Sequence, residues 1–311
     1  MRRLTRVTRA GVLGWVLACS VGDATLAAQQ GTLASAARSN SRAKGFVWTV
    51  ERDGQTGWLM GSLHLLTPDA YPLPPSMEAA FQSAQVLVEE ADPDELKTPE
   101  AAAELMRRAL YPAGQTLEAH VSAATYRTIV DRATKMGLPL EMVQRMRPWM
   151  VAVTLAAVEM QRSGFDPSLG LDKHFRDRAI GLGMPVQLLE KALDQISMLE
   201  SLGPTLQDAL VVETLEGAST EASQARALMA AWKAGDPNGI ERILVDGMKD
   251  APEVHRVLFV ERNARWVPKI EACLVKARCL VVVGAGHLVG QDGLIEMLRR
   301  RGYRVEQSVS R

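Results

Sequence analysis

The chain has 311 residues, 47% hydrophobic and 23% charged, an ordinary globular balance that suits one large domain or two small ones. Its formal net charge is +0, which excludes the basic footprint of a nucleic-acid binder. The charge is uneven at the start: residues 1–27 carry Arg2, Arg3, Arg6 and Arg9 against Asp23, and without them 32 basic and 35 acidic residues remain, a net −3.

Residues 1–27 read as a secretory signal: "MRRLTRVTR" is a basic leader, "AGVLGWVLACSVG" an apolar run too short to span a bilayer, and "ATLAAQ" offers small residues for cleavage after Ala27. The protein is therefore expected to be secreted or periplasmic. A second form of the same reading ends the signal at "VLAC", so that Cys19 carries lipid as a membrane anchor and residues 20–44 are a tether, although Leu17 departs from that pattern. Residues 28–44 are small and polar and read as a linker, leaving 45–311 as the folded domain.

"FVWTVERDGQTGWLMGSLH" predicts a hairpin, Phe46–Arg52 and Gly57–Leu63, turning at Asp53–Gly54. "PSMEAAFQSAQ" predicts a short helix entered through Pro75 and Ser76, and "VLVEEADP" a third strand closed by Pro93. From about 95 to 180, and again from 192 to 277, apolar residues recur with helical period. The nearly continuous apolar stretch Met150–Val158 is short and followed by charge, so it reads as a buried helix. "MPVQLLE" is a fourth strand, "CLVVVGAG" a fifth, "GLIEMLRRRG" a helix and "YRVEQ" a closing strand. The pattern is an α/β domain whose mixed central sheet is written in two halves, separated by a large helical insertion. Cys273 and Cys279 lack the spacing of a redox or zinc motif, and are either a small staple between a helix end and the next strand or two buried thiols.

The polar residues that could do chemistry fall at strand ends. His64 follows the second strand, Glu89 and Glu90 end the third, Glu190 ends the fourth and His287 follows the fifth. In open α/β sheets ligands bind outside the carboxyl ends of the strands, so parallel strands would gather these residues at one edge. Gly61 and Gly284 each precede a histidine by three residues, where a side chain would crowd the turn or a bound group. Two histidines and a carboxylate make a three-ligand set with open positions, suited to a divalent ion. A strand-end histidine is also commonly structural, and Glu89–Glu90 alone reads equally as a solvated loop entrance or a capping pair. "GAGHLVG" is spaced GxGxxxG and too little chain follows it for a dinucleotide site. His120, His174 and His255 stand in charged helical surroundings and read as surface residues. Arg262, on a helix before the fifth strand, either reaches the site or does not. On the residues alone, the chain is a secreted α/β hydrolase or a metal-binding protein.

The paired GxxH segments, with "VLVEEADP" after the first, resemble the TraB/GumN family, whose animal relatives include the Tiki membrane proteases. "GSLHLLTPDAYPLP", "RPWMVAVTL", "GLDKHFRDRAIGLGMPVQLLE", "AAWKAGD", "RNARW" and "VVVGAGHLVGQDGLIEMLRRRGY" extend the resemblance from about residue 46 to 307. The resemblance implies a mixed α/β fold shared with erythromycin-esterase and ChaN-like proteins. For Tiki-like members it implies a metal-dependent peptidase with both GxxH histidines and a glutamate essential, which places His64, His287 and Glu90 as ligands of a divalent ion: Mn, Co or Zn. Glu90 is preferred to Glu89 because the family pattern places a small residue and then Asp after the glutamate, matching Ala91 and Asp92, although the doubled glutamate leaves the register arguable. Glu190 and Arg262 match positions that the family fills with the same residue types.

The mechanism this implies is metal-assisted hydrolysis of a peptide or small-molecule substrate. Glu190 or Glu89 would take the proton of the metal-bound water, and Arg262 would hold a substrate carboxylate or the oxyanion. Two rivals are a metal-free hydrolase with a His/Glu base and a non-catalytic ligand- or haem-binding protein. Shared chemistry requires the imidazoles of His64 and His287 within roughly 8 Å of one another. It also predicts that Glu90→Gln removes metal and activity with little change in folding, the same change at Glu89 being the control because neighbouring strand residues point to opposite faces.

Overall fold

Asp53 and Gly54 both adopt positive φ, 52° and 78°. That is the pattern of a type I′ turn, whose twist matches that of the strands it joins. It pairs β1 (Val47–Arg52) antiparallel with β2 (Gln55–Ser62), Arg52 opposite Gln55. The structure, a computed structural model, describes residues 44–249 and 251–309, with the backbone alone at 216–222. The signal expected at residues 1–27, the lipid site expected at Cys19 and all but the last residue of the linker expected at 28–44 lie outside the described residues.

The remaining strands are β3 (Val86–Glu89), β4 (Val186–Leu188), β5 (Cys279–Gly284) and β6 (Arg304–Gln307). They form one six-stranded mixed sheet in the order β4-β3-β5-β2-β1-β6. The two halves written in the sequence are interleaved: β5 lies between β3 and β2, parallel to both, and β6 pairs antiparallel with β1. The reason is visible in β5, whose residues Cys279–Val283 are all buried. An unbroken apolar run of this kind fits a strand covered on both faces, at the centre of a sheet.

The helices are α1 (Pro75–Ser83), α2 (Pro99–Ala109), α3 (Ala123–Lys135), α4 (Leu140–Arg145), α5 (Pro148–Arg162), α6 (Leu171–Gly181), α7 (Ala192–Ser201), α8 (Pro204–Lys233), α9 (Pro237–Leu244), α10 (Pro252–His255), α11 (Glu261–Leu274) and α12 (Leu294–Arg300). Several open on proline, whose missing N–H is no loss in a first turn. Thr98 and Ser122 cap α2 and α3 by accepting the backbone N–H of Ala101 and Thr125. Two cores result. One joins the sheet to α1, α6, α11, α12 and the second half of α8 through Phe46, Phe81, Phe175, Trp232 and Trp266. The other lies within the helical insertion, around Trp149, Ile129, Ile196 and Val211. The Met150–Val158 stretch belongs to α5 and is mostly buried there, and among the described residues no helix is long and apolar enough to cross a membrane.

Cys273, near the end of α11, is joined to Cys279, the first residue of β5, with their Cα atoms 6.2 Å apart. The staple, rather than the pair of thiols, is what the fold contains. It closes so short a loop that its loss is expected to cost only about 2–3 kcal/mol. Urea unfolding with and without reductant measures this, and an identical midpoint in both would show that the bond contributes nothing.

Candidate active site

Strands β2, β5, β3 and β4 are mutually parallel, so their carboxyl ends share one edge of the sheet. His64 follows the end of β2, Glu90 that of β3 and Glu190 that of β4, while His287 closes a short 3-10 turn, Ala285–His287, after β5. Gly284 marks the point where they meet. A methyl group there would stand 3.3 Å from Glu90 Oε1 and 3.6 Å from both His64 Nε2 and a ring carbon of His287. The two imidazoles therefore approach one point, inside the separation that a shared site requires. Gly61 has a different reason: a side chain there would strike the buried ring of Phe46.

Arg262 lies at the centre of this edge. Its side chain is 3% exposed and every face of the guanidinium is engaged. Nε donates to Glu190 Oε1 at 3.1 Å, and Nη2 to Glu90 Oε2 at 2.5 Å and Glu190 Oε1 at 2.6 Å. Nη1 donates to the Leu258 carbonyl at 3.3 Å and lies 2.9 Å from His287 Nε2. The plane rests on Trp266, 4.5 Å from its ring centre. The Leu258 carbonyl belongs to a π-helical turn, Arg256–Val260, that leads directly into α11. Glu190 is completed by Gln195 Nε2 at 3.0 Å and Trp266 Nε1 at 3.1 Å.

The tautomer of His287 follows from its neighbours. Asn263 Nδ2 donates to the carbonyls of His287 and Asp292, which leaves Asn263 Oδ1 as an acceptor, 2.7 Å from His287 Nδ1. The ring proton is thus on Nδ1, and the Nε2 lone pair accepts from Arg262. Burial, and then the Arg262 charge, pull His287 down to about 3, so this imidazole is neutral at physiological pH. Glu90 goes the other way. Burial opposes its ionisation, but Arg262, His287 and His64, with the Gly284 N–H donating at 2.6 Å, hold it down at about 2. His64 has its own support: Asp172 Oδ1 stands 3.2 Å from His64 Nδ1 and accepts from Ser62 Oγ at 2.8 Å. Burial opposes the charge of Asp172, while His64 and Ser62 keep its carboxyl below the usual range.

Glu89 faces the opposite side of β3, toward α6, where Arg176 Nη2 lies 2.8 Å from its carboxyl and also donates to the Ala91 carbonyl. Arg176 pairs with Asp92 as well. Burial outweighs this pairing and pushes Glu89 up to about 8. Between its ordinary 4.5 and that value the folded chain holds a proton that the unfolded chain has released, so stability falls as pH rises through this window. Glu89→Gln is therefore expected to gain at least ~1 kcal/mol over the wild type on going from pH 5 to pH 8. Urea midpoints of both proteins at the two pH values check this; an equal shift at both would place the titration elsewhere.

A cleft of about 320 Å³ opens between this edge and the helical insertion. His64, Glu89, Glu90, Asp172, Arg176 and Gln195 supply its polar wall, and Ala91, Pro93, Leu96, Leu105 and Met106 its apolar one. A smaller hollow of about 30 Å³, bounded by His64, Glu90, Arg262, Gly284, Phe259 and His287, lies beside it and is large enough for a water molecule. His64 and Glu90 line both.

The residues proposed from the sequence as ligands thus come together, but not as a ligand set. His287 Nε2 is taken by Arg262, both oxygens of Glu90 are taken by Arg262 and Gly284, and a guanidinium stands where an ion would be shared. Among the described residues no three His, Cys, Asp or Glu side chains are grouped so as to hold a metal ion. In this arrangement the side chains do not fit a divalent ion. Two other roles change for the same reason. Arg262 has no donor left for a substrate carboxylate or oxyanion, and both oxygens of Glu190 already accept hydrogen bonds within the site.

Several partners escaped the sequence reading: Asp172, Asn263, Gln195, Arg176 and Trp266. Asp172 lies in "GLDKHF" at the start of α6, two residues after the chain passes so close to His64 that a methyl on Gly170 would stand 2.4 Å from the His64 carbonyl oxygen. A Gly-x-Asp entering a helix was the available signal. Asn263 adjoins Arg262, and only the fold shows that it faces His287.

Comparison with known proteins places these residues in context. The TraB/PrgY/gumN family matches residues 46–307. The chain is 30% identical over 241 residues to "Uncharacterized protein YbaP" of Escherichia coli strain K12, covering 78% of this chain and 87% of that protein. It is 23% identical over 320 residues to "Metalloprotease TIKI1" of Danio rerio, covering 85% of this chain and 63% of that protein. No solved structure matches.

Proposed function

The chain belongs to the TraB/PrgY/gumN family, and from that premise we propose that it is a hydrolase in which His64, held by Asp172, takes the proton of a water that attacks a carbonyl of a peptide or small-molecule substrate in the cleft. The observation that carries this reading is the position of His64. Its Nδ1 faces Asp172 and its Nε2 faces Glu90 and Gly284, at the junction of the small hollow with the 320 Å³ cleft. A carboxylate behind Nδ1 keeps the proton there and leaves Nε2 basic, the arrangement of a general base. Glu90 and Arg262 brace the far wall, and the neutral His287 presents no competing proton.

The Danio rerio relative is named a metalloprotease, which supports a finer alternative, a metal-dependent peptidase, for which the ion we propose is Mn, Co or Zn. One feature favours it: both histidines are held through Nδ1 and turn Nε2 toward Glu90, as metal-bound histidines do. It requires Arg262 to leave His287 and Glu90. A mixed library of peptides and esters, read by mass spectrometry with and without chelator, decides among these. Products that persist in chelator support the base mechanism, and products that need added Mn, Co or Zn support the metal-dependent one. No product in either, with a Soret band on adding haem, would replace both by a binding protein. Export is a further part of the proposal: native protein should begin near residue 28 or at a lipidated Cys19, and an intact Met1 in a cytoplasmic fraction would refute it.

A further inference from the structure

We infer that Arg262 is the resident cation of this site: its guanidinium takes the position that a divalent ion would share between His287 and Glu90, so that the wild-type chain excludes the ion and removal of the side chain creates a place for one. Three observations carry this. The donors of Arg262 are spent on the atoms an ion would need, Glu90 Oε2 at 2.5 Å and His287 Nε2 at 2.9 Å, with Glu190 at 2.6 Å. The lone pair of His287 is offered to Arg262 because its proton is fixed on Nδ1 by Asn263, so the acceptor geometry is built for a positive partner. The pairing is also buried: the side chains of Arg262, Glu90 and Glu190 are 3%, 10% and 7% exposed, so their charges meet one another rather than solvent. Without Arg262, two buried carboxylates and the imidazoles of His64 and His287 surround a space the size of a guanidinium, a donor set that suits a tetrahedral or octahedral dication. With Arg262 in place an ion would have to displace a buried, fully hydrogen-bonded charge, which is expensive.

The test reads metal rather than hydrolysis, so it stands or falls separately from the proposed activity. Full-length mature wild type, Arg262→Lys and Arg262→Ala are titrated with Co²⁺, followed by visible absorption and by thermal unfolding. Wild type and Arg262→Lys are expected to show no stoichiometric cobalt band and no rise in Tm. Arg262→Ala is expected to melt lower, to bind one equivalent at least a hundredfold more tightly than wild type, and to regain Tm as Co²⁺ is added. The double variant Arg262→Ala, His287→Ala should lose that gain. One equivalent of cobalt bound by the wild type, and lost in His287→Ala, would overturn the inference, as would a folded Arg262→Ala that binds no better than wild type. Should Arg262→Ala not fold, the wild type and Arg262→Lys still decide it: no cobalt in either supports exclusion, and stoichiometric binding overturns it.

Discussion

Glu90→Gln is expected to lower the unfolding free energy by about 3–5 kcal/mol at pH 7, the range for breaking a buried ion pair from one side. The carboxylate accepts from Arg262 Nη2 through one oxygen and from the Gly284 N–H through the other. An amide has only one oxygen, so whichever way Gln is turned its NH₂ faces a donor, and Arg262 loses one of its two neutralising charges in a buried site. This differs from the small folding effect expected for a metal ligand that water could replace. The pH dependence identifies the cause. Glu90 is held down at about 2, so its contribution is complete above the ordinary 4.5 and is lost as pH falls toward 2. The gap between wild type and Glu90→Gln should therefore narrow on acidification from pH 5 toward pH 2. Urea unfolding across that range measures it. A gap that stays constant would mean that Glu90 acts through packing rather than charge.

Much of this site was legible because strand ends advertise themselves. A run such as "VLVEE" or "CLVVVGAGH" names both the strand and the polar residue that leaves it, and the parallel pairing of β2, β5, β3 and β4 then places His64, Glu90, Glu190 and His287 on one edge. Strand alternation also separates Glu89 from Glu90, but not which of them meets α6 and which meets α11; that depends on where helices pack. The helical partners are harder to read. Periodicity reports which face of a helix is apolar, and Asp172, Gln195 and Asn263 are polar residues whose role is to meet one particular atom across the site. Arg262 is the sharpest case. From "FVERNARW" alone its side chain has no preferred destination, and the π-helical turn over Arg256–Val260 that leads into α11 leaves no composition signal. The metal expectation meets the same residue: two histidines and a glutamate come to one point, and Arg262, remote in sequence, stands between His287 and Glu90.

His64→Ala is expected to reduce kcat/KM by about 10²–10⁴-fold, the usual contribution of a positioned general base, on whichever library substrate the wild type cleaves. The effect should fall on kcat, because the apolar wall of Leu96, Leu105 and Met106 that would hold substrate is untouched. Stability should change by no more than ~1 kcal/mol, since His64 borders open cleft rather than packed core. Asp172→Asn separates base from scaffold. It keeps the shape and the contact with Ser62, but the amide can present a donor to Nδ1 and so favour the tautomer with its proton on Nε2. A loss of kcat in Asp172→Asn, smaller than in His64→Ala and in the same direction, is the signature of a proton held in place. A fall of less than about tenfold in His64→Ala would remove His64 as the base. The role would then pass to Glu89, a carboxyl of the cleft wall that burial pushes up to about 8. Activity that rises through that pH and vanishes in Glu89→Gln would establish the exchange.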